Sequence, residues 1–293
     1  MQDRLMSSTE AQQIVKNIIN HRPVALSSDY YTGHRRAAIL VGIFVCPDDN
    51  QIHVLLTKRT SRLRSHAGEI ACPGGRWEHG DESLVNTALR ETHEEIGLEP
   101  AEVKVLKELH PSVSRNILLV APVVALIPPD IIHRCKLNPL EVDLVFSVPL
   151  KSFLKAQGHQ HEDYSFIYDD HGKQIEEIKR SHSFIRGKDN HRVFGLTGNI
   201  ILKVAQIAYE GIEECEFEPY APGQLEEHLS QRYRRFAAMA DKVDHERLTI
   251  EKQYAERNEE FNVTSTLLGP EEQADVDATK ERAAAVEVSE NKL

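Results

Sequence analysis

The stretch GGRWEHGDESLVNTALRETHEEIGL, residues 74–98, predicts a glycine-rich loop that runs into a helix. At 3.6 residues per turn, Glu91 and Glu95 stack on one face of that helix and Glu94 lies beside them. Like charges at this spacing repel one another, whereas a hard divalent cation binds carboxylate oxygens. Gly97 is predicted to end the helix as a left-handed cap. The stretch therefore predicts a metal site presented on one helix.

The order of these residues resembles the Nudix box of hydrolases that act on nucleoside diphosphate derivatives. In that pattern a glycine, a spacer, a glutamate and seven residues precede Arg-Glu-aliphatic-x-Glu-Glu-x-Gly-aliphatic. Here Glu82 is followed by seven residues and then by RETHEEIGL, residues 90–98. The chain departs twice, since six residues instead of five separate Gly75 from Glu82, and Thr92 replaces an aliphatic residue. Neither departure removes a carboxylate, so the resemblance implies an intact metal site.

The resemblance also implies a role for each residue of the box. Glu91 and Glu95 would bind Mg²⁺ or Mn²⁺ directly, with Glu94 as a third ligand. Glu82 would contribute through a water molecule or by supporting another ligand. Arg90 would orient a glutamate, because it lies about 100° around the helix from its neighbour. These five residues form the predicted catalytic set.

A cationic loop lies just before the box, in the segment LLTKRTSRLRSHAGEIACPGG, residues 55–75. Arginine binds phosphate groups through two parallel hydrogen bonds, so Arg59 and Arg64 beside a metal site favour a polyanionic substrate. Compensation of the acidic helix by nearby cations explains the same arginines equally well. The residues alone leave both interpretations open.

The same segment is similar to the coenzyme A signature of one Nudix subfamily, L-L-T-x-R-[S/A]-x3-R-x3-G-x3-F-P-G-G. Nine positions match: Leu55, Leu56, Thr57, Arg59, Arg64, Gly68, Pro73, Gly74 and Gly75. Thr60 stands where Ser or Ala is usual, and Cys72 stands where Phe is usual. The six-residue spacer before the box also agrees with this subfamily. The resemblance implies that five of these residues bind substrate: Arg59, Arg64, Gly68, Gly74 and Gly75.

The implied reaction is hydrolysis of the diphosphate of coenzyme A or acyl-coenzyme A. Its products are 3′,5′-ADP and 4′-phosphopantetheine or the acyl form. The general base stays open among Glu91, Glu94 and a loop residue such as Glu141. One alternative is another Nudix substrate, such as ADP-ribose, a dinucleotide or an oxidised nucleotide. A second is a non-catalytic Nudix interaction module, which would predict missing box carboxylates.

Strand-forming runs with few helices predict an α+β fold. Strands are expected at 37–46, 52–57, 103–109, 117–127, 145–150, 164–168 and 192–194, and helices at 8–20 and 198–209. The Nudix resemblance implies an α/β/α sandwich with a mixed β-sheet over residues 35–215. Residues 1–34 are predicted to hold an N-terminal helix and a lead-in. Residues 216–262 predict a charged helical extension, and the acidic residues 263–293 are expected to be disordered.

The chain has 293 residues and a formal net charge of −11. This acidic balance argues against a nucleic-acid partner, which would normally meet a basic patch. The apolar run 38–46 is too short to span a bilayer, so no membrane partner is expected. The N-terminus lacks the apolar core of a signal peptide. These features predict a soluble intracellular protein, and the Nudix resemblance implies that its partner is a small-molecule substrate.

Two sets of possible metal-ligating residues are scattered along the chain. Four cysteines without zinc-type spacing predict free thiols in a reducing compartment: Cys46, Cys72, Cys135 and Cys215. Five histidines without a recurring spacing are interpreted as solvated loop residues: His159, His161, His171, His182 and His191. Neither set predicts a second metal site.

The last three residues are Asn291, Lys292 and Leu293. They share Lys-Leu with the Ser-Lys-Leu peroxisomal address, which is recognised by an import receptor. Together with the subfamily resemblance, this predicts a peroxisomal protein that binds an import receptor at its C-terminus, with the cytoplasm as the alternative.

Overall fold

The structure is a computed structural model that describes residues 9–22, 35–63, 65–114, 118–170 and 173–210. All of these fall in the first of the two units into which the chain divides, Met1–Ala237, and the second, Ala238–Leu293, lies outside them. Four predicted features also lie outside the described residues: Arg64, the helical extension, the acidic tail and the C-terminal tripeptide. Within the described residues, no helix combines the length and apolarity needed to cross a bilayer.

Four α-helices and eleven strands are present among the described residues. The helices are α1 Thr9–Asn20, α2 Leu84–Ile96, α3 Ile131–Arg134 and α4 Gly195–Ala208, with 3-10 turns at Pro100–Glu102 and Leu150–Leu154. The strands are β1 Arg36–Val45, β2 Ile52–Arg59, β3 Ile70–Ala71, β4 Gly74–Arg76, β5 Lys104–Glu108, β6 Ser112–Val113, β7 Leu119–Leu126, β8 Val142–Pro149, β9 His159–Asp170, β10 Lys173–Arg186 and β11 His191–Phe194.

The larger sheet is mixed, because β1 pairs in parallel with β7 and antiparallel with its other neighbours. β7 occupies one edge of β1. Along the other edge, β1 pairs with β4 at residues 37–39 and with β2 only at residues 43–45. β8 pairs along one edge of β2. β3 pairs with Thr57 and Lys58 of β2, so it must lie along the other edge, which faces β1. Residues 70–76 therefore fill the gap where β1 and β2 separate.

Side chains alternate along the central strands, so the two faces of the sheet bury different residues. Leu40 and Phe44 of β1 pack with α2 and α3 on one face. Val41 and Ile43 pack with α1 and α4 on the other face. Helices thus cover both faces, which confirms the predicted α/β/α sandwich with a mixed β-sheet.

The smaller sheet consists of β9, β10 and β11 in antiparallel order, and it contacts α4. The interpretation of the histidines as loop residues is wrong for four of them, because His159 and His161 lie in β9, His182 in β10 and His191 in β11. His182 is buried, and its Nδ1 lies 2.9 Å from Nε2 of His159. The fifth, His171, lies outside the described residues.

Candidate active site

Helix α2 carries the acidic cluster, and both of its ends are fixed by the local sequence. The Ser83 side chain accepts a hydrogen bond from the Asn86 amide at 3.2 Å, which caps the first turn. At the other end, Gly97 adopts φ 69° and its amide donates to the His93 carbonyl at 2.8 Å. The prediction of a left-handed cap at Gly97 is confirmed. Thr92, the departure from the aliphatic pattern, is buried and donates to the Ala88 carbonyl at 2.6 Å.

Glu95 is the most deeply placed carboxylate of the cluster, with 2% of its surface exposed. Its Oε1 lies 3.6 Å from Nη1 of Arg59, and the Gly74 amide donates a hydrogen bond to the carboxylate. Its Oε2 is buried without a hydrogen-bond partner. Burial raises the pKa of Glu95 to about 8, although Arg59 opposes this rise. An unpartnered oxygen on a buried carboxyl group is what a bound cation would satisfy.

Glu91 lies against the glycine pair that enters the box. A Cβ atom on Gly75 would lie 2.3 to 2.5 Å from the Glu91 carboxylate, so glycine is required for the close approach. Burial raises the pKa of Glu91, while Arg90 opposes that rise with Nη1 at 3.1 Å from Oε1. Gly74 has φ 147°, and a Cβ there would meet the Ala38 carbonyl at 2.3 Å. Both glycines therefore let β4 fit between β1 and the acidic helix.

Arg90 is held by a residue that the sequence analysis missed. Its Nε and Nη2 donate to the two carboxylate oxygens of Asp81 at 2.9 and 3.0 Å. Thr87 also donates to Asp81, at 2.9 Å. The hydrogen bond from Arg90 is the largest cause that lowers the pKa of Asp81 to about 2. Glu82, the residue predicted from the box pattern, is exposed and precedes the first residue of α2.

A signal for Asp81 was present in the spacing. Five residues separate Gly75 from Asp81, which is the spacer length of the general Nudix pattern. If Asp81 is taken as the acidic residue that follows the spacer, the extra residue of this chain lies between Asp81 and Arg90 instead of between Gly75 and Asp81. Asp81 occupies the place beside Arg90, and Glu82 is displaced towards solvent.

Two of the predicted substrate residues, Arg59 and Gly68, belong to the end of β2 and the loop that follows it. Arg59 ends β2, is half-buried, and has a buried Nε without a hydrogen-bond partner. Its backbone closes the following loop through hydrogen bonds with Glu69 at 2.9 Å and Gly68 at 3.1 Å. Gly68 has φ 71°, and a Cβ there would meet nothing within 4 Å. Arg64 lies in this loop but outside the described residues.

Glu141 brings a fourth carboxylate to the cluster. Its carbonyl accepts from the Thr60 amide at 2.9 Å, and its charge raises the pKa of both Glu91 and Glu95. Glu94 is half exposed and lies 3.3 Å from Nη1 of Arg90. Within the described residues, the three box glutamates do not bring their oxygens within 4.8 Å of one another. Arg90 pairs with Glu91 and Glu94, whereas Arg59 pairs with Glu95.

Comparison with known proteins places this geometry in a family. The NUDIX domain model matches residues 36–170. In Arabidopsis thaliana, Nudix hydrolase 15, mitochondrial, is 35% identical over 185 residues, covering 62% of this chain and 62% of the relative. Nudix hydrolase 22, chloroplastic, of the same plant is 34% identical over 176 residues, covering 60% and 56%.

A bacterial relative is covered more fully. The protein named Uncharacterized Nudix hydrolase NudL of Photorhabdus laumondii subsp. laumondii is 36% identical over 174 residues, covering 59% of this chain and 84% of the relative. The chain thus spans less than two thirds of the length of each plant relative and most of the bacterial one. The matched NUDIX domain runs from the first residue of β1 to the last residue of β9. On this evidence the chain belongs to the Nudix hydrolase family.

Proposed function

We propose that this protein hydrolyses the diphosphate of coenzyme A and acyl-coenzyme A, giving 3′,5′-ADP and 4′-phosphopantetheine or its acyl form. The observation that supports this most is the position of Arg59. It belongs to the segment that resembles the coenzyme A signature, and it lies 3.6 Å from Glu95 of the Nudix box. A phosphate bound by Arg59 would therefore lie beside the carboxylates of α2. A non-catalytic Nudix interaction module would be expected to lack box carboxylates, and all of them are present in this chain.

The acidic cluster fits a divalent metal ion, which members of this family generally use. Glu95 offers a buried oxygen without a partner, and Gly75 leaves Glu91 room beside the backbone. Carboxylate oxygens are the ligands that Mg²⁺ and Mn²⁺ prefer. We propose Glu91 and Glu95 as direct ligands and Glu94 as the third. When bound, the ion would neutralise charge on the diphosphate and help to position the attacking water.

The other residues of the site would orient the reactants. Arg90, held by Asp81, fixes the Glu91 and Glu94 side chains through its Nη1. Arg59 would hold a substrate phosphate through its guanidinium group, whose Nη1 lies 3.6 Å from Oε1 of Glu95. We propose that Glu141, whose charge acts on both Glu91 and Glu95, accepts a proton from the attacking water. Glu91 and Glu94 remain the alternative bases.

Metal affinity should rise with pH because of Glu95. Its carboxyl group has a pKa of about 8 without metal, so below pH 8 the ion must displace a proton. The association constant for Mg²⁺ is expected to rise by up to about tenfold per pH unit between pH 6 and 8, and to level off above pH 8. Isothermal titration calorimetry at four pH values measures this slope. The same slope in Glu95→Gln would contradict the assignment.

Asp81→Asn is expected to lower kcat by about 10- to 100-fold, since groups that orient metal ligands have effects of this size. The amide keeps the shape of the side chain but cannot pair with Arg90 as an ion. Steady-state hydrolysis with saturating Mg²⁺ measures the loss. Asp130→Asn is a matched control, because Asp130 pairs with Arg134 at 3.1 Å on the surface. Equal rates for Asp81→Asn and the control would refute a positioning role for Asp81.

The proposal is tested by measuring Mg²⁺-dependent hydrolysis of coenzyme A and identifying both products, with ADP-ribose and a dinucleotide as competing substrates.

Arg64→Ala is expected to raise KM for coenzyme A by about 10- to 100-fold, the effect of losing one or two charge-assisted hydrogen bonds. KM for dephospho-coenzyme A, which lacks the 3′-phosphate, should change less. Arg62→Ala, at an exposed position in the same loop, is the control. Preferred turnover of ADP-ribose would favour the alternative Nudix substrate.

The compartment and the import receptor remain predictions. Residues 291–293 lie outside the described residues. The names of the two plant relatives give mitochondria for one and chloroplasts for the other. Peroxisomal localisation is therefore proposed from the tripeptide and the subfamily resemblance alone. A fluorescent fusion with and without residues 291–293 tests it, and an unchanged distribution would count against it.

A further inference from the structure

Three side chains of different chemistry meet at the hairpin that joins β1 to β2. They are the thiol of Cys46, the carboxylate of Asp49 and the imidazole of His53. One potential ligand atom from each lies within 4.8 Å of the other two. Cys46 is 8% exposed and His53 is also 8% exposed, whereas the Asp49 side chain is 34% exposed. The group therefore has two buried members and one member that faces solvent.

The hairpin backbone holds Cys46 and Asp49 in place. The Cys46 amide donates to the Gln51 carbonyl at 2.8 Å, and the Asn50 amide donates to the Cys46 carbonyl at 2.9 Å. Asn50 adopts φ 57°, which closes the turn tightly. The Gln51 backbone amide donates to Oδ1 of Asp49 at 3.0 Å, and the Gln51 side chain donates to Oδ2 at 3.1 Å, so Gln51 fixes the orientation of the carboxylate.

His53 is oriented by a second contact on its far side. Its Nδ1 lies 3.0 Å from Oγ of Ser147 in β8, and its Nε2 lies 3.0 Å from Oδ2 of Asp49. A metal-binding histidine commonly has its other ring nitrogen in such a hydrogen bond, which fixes the ring and its tautomer. Ser147 therefore holds the ring with Nε2 directed at the carboxylate.

Asp49 is the common partner of the other two side chains. Nε2 of His53 lies 3.0 Å from Oδ2 of Asp49, and the Cys46 thiol is also hydrogen-bonded to this carboxylate. A metal ion that replaced the protons of His53 and Cys46 would lie between the three ligand atoms, which are already within 4.8 Å of one another.

We propose that Cys46, Asp49 and His53 form a second metal site, which binds one Zn²⁺-like transition-metal ion with water in the fourth position. Mixed sulfur, nitrogen and oxygen ligands suit Zn²⁺ and Co²⁺, whereas Mg²⁺ requires oxygen ligands. The exposed side of Asp49 leaves access for the ion and for the water molecule.

Binding would require small adjustments and the release of one proton. In a tetrahedral zinc site with bonds of about 2.0–2.3 Å, ligand atoms lie about 3.3–3.8 Å apart. Nε2 of His53 and Oδ2 of Asp49, now 3.0 Å apart, would separate slightly, and a pair near the 4.8 Å limit would approach by about 1.5 Å at most. The Cys46 thiol loses its proton to solvent and binds as a thiolate. If the His53 proton is on Nε2, it moves to Nδ1, where it is donated to Ser147. Nothing is oxidised or reduced.

This site is distinct from the candidate active site. His53 lies near the start of β2 and Arg59 at its end, so the two positions are about 20 Å apart along an extended strand. The spacing C-x2-D-x3-H has no cysteine pair, which explains why the sequence analysis did not predict a metal site here. The turn residues bring the three ligands together only when the hairpin closes.

Co²⁺ is the probe that separates the two sites, because a cobalt–thiolate bond gives a charge-transfer band in the near ultraviolet. The box carboxylates bind only through oxygen and give no such band. Titration of the full-length reduced protein with CoCl₂ under argon should produce the band with one equivalent of Co²⁺. Addition of Zn²⁺ should abolish it, and excess Mg²⁺ should leave it unchanged.

Variants identify the ligands without relying on activity. Cys46→Ser should abolish the band, and His53→Gln should weaken Co²⁺ binding by at least about tenfold. Cys135→Ser, which changes a thiol outside the group, and Glu95→Gln, which changes the other metal site, should both retain the band. If the wild-type protein gave no charge-transfer band with Co²⁺, the proposal would be wrong. Persistence of the band in Cys46→Ser would equally overturn it.

Discussion

Glu95→Gln is expected to lower kcat for diphosphate hydrolysis by more than about 100-fold at saturating Mg²⁺. Replacing groups that only orient metal ligands costs about 10- to 100-fold, so loss of a ligand itself should cost more. Glu95 is the carboxylate whose buried oxygen lacks a partner, and an amide cannot supply that negative charge to an ion. Steady-state kinetics over a range of Mg²⁺ concentrations measure the effect.

The fold of Glu95→Gln should remain intact. With a pKa of about 8, the metal-free Glu95 carboxyl group is mostly protonated at pH 7, so a neutral amide of similar size replaces a neutral group. Thermal unfolding without metal should therefore differ little from wild type, while Mg²⁺ should no longer stabilise the variant as strongly. Glu99→Gln, at an exposed residue just beyond α2, is the control. Near-normal turnover in Glu95→Gln would refute the assignment of Glu95 as a ligand.

Gly75→Ala is expected to lower kcat by about 100-fold. A Cβ atom at this position would lie 2.3 to 2.5 Å from the Glu91 carboxylate, so the carboxylate must move by about 1 Å, and misplacements of that size can cost about 10²-fold. Gly75 does not adopt a positive φ, so the effect would come from the displaced carboxylate instead of backbone strain. Hydrolysis rates and Mg²⁺ affinity should both fall.

Gly187→Ala serves as the matched control for this substitution. Gly187 has φ 78°, and a Cβ there would approach nothing closer than 3.6 Å. Alanine at this position should lower the thermal midpoint through backbone strain but leave kcat unchanged. Wild-type turnover in Gly75→Ala would show that catalysis does not depend on the close approach of the Glu91 carboxylate to Gly75.

Periodicity and spacing were sufficient to predict the core of the fold. Strand-forming apolar runs predicted β1, β2 and β7, and the i, i+4 acidic pattern with Gly97 predicted α2, because these signals are local. The smaller sheet was only partly predicted. Its strand β10, Lys173–Arg186, has many charged residues and no apolar run, so it depends on pairing with β9 along its whole length.

The candidate site was predicted as a set of residue types but not as a network. The carboxylates of α2 follow from their spacing, whereas the hydrogen bond from Arg90 to Asp81 joins a helix residue to a loop residue nine positions earlier. The unpartnered oxygen of Glu95 depends on burial by elements from distant parts of the chain. Contacts such as that between Cys46 and His53 likewise depend on how a turn closes, which residue patterns do not specify.

The insertion of residues 70–76 between β1 and β2 ties the active-site glycines to the main sheet. The Leu40 amide donates to the Pro73 carbonyl at 2.8 Å, and residues 74–76 pair with β1. The Trp77 amide, which follows this segment and donates to the Arg36 carbonyl at 2.9 Å, can exchange with solvent only when the pairing with β1 opens, so it should exchange as slowly as the centre of the sheet. Mutations that merely destabilise the fold should consequently reduce the amount of active protein while leaving the turnover of each folded molecule unchanged.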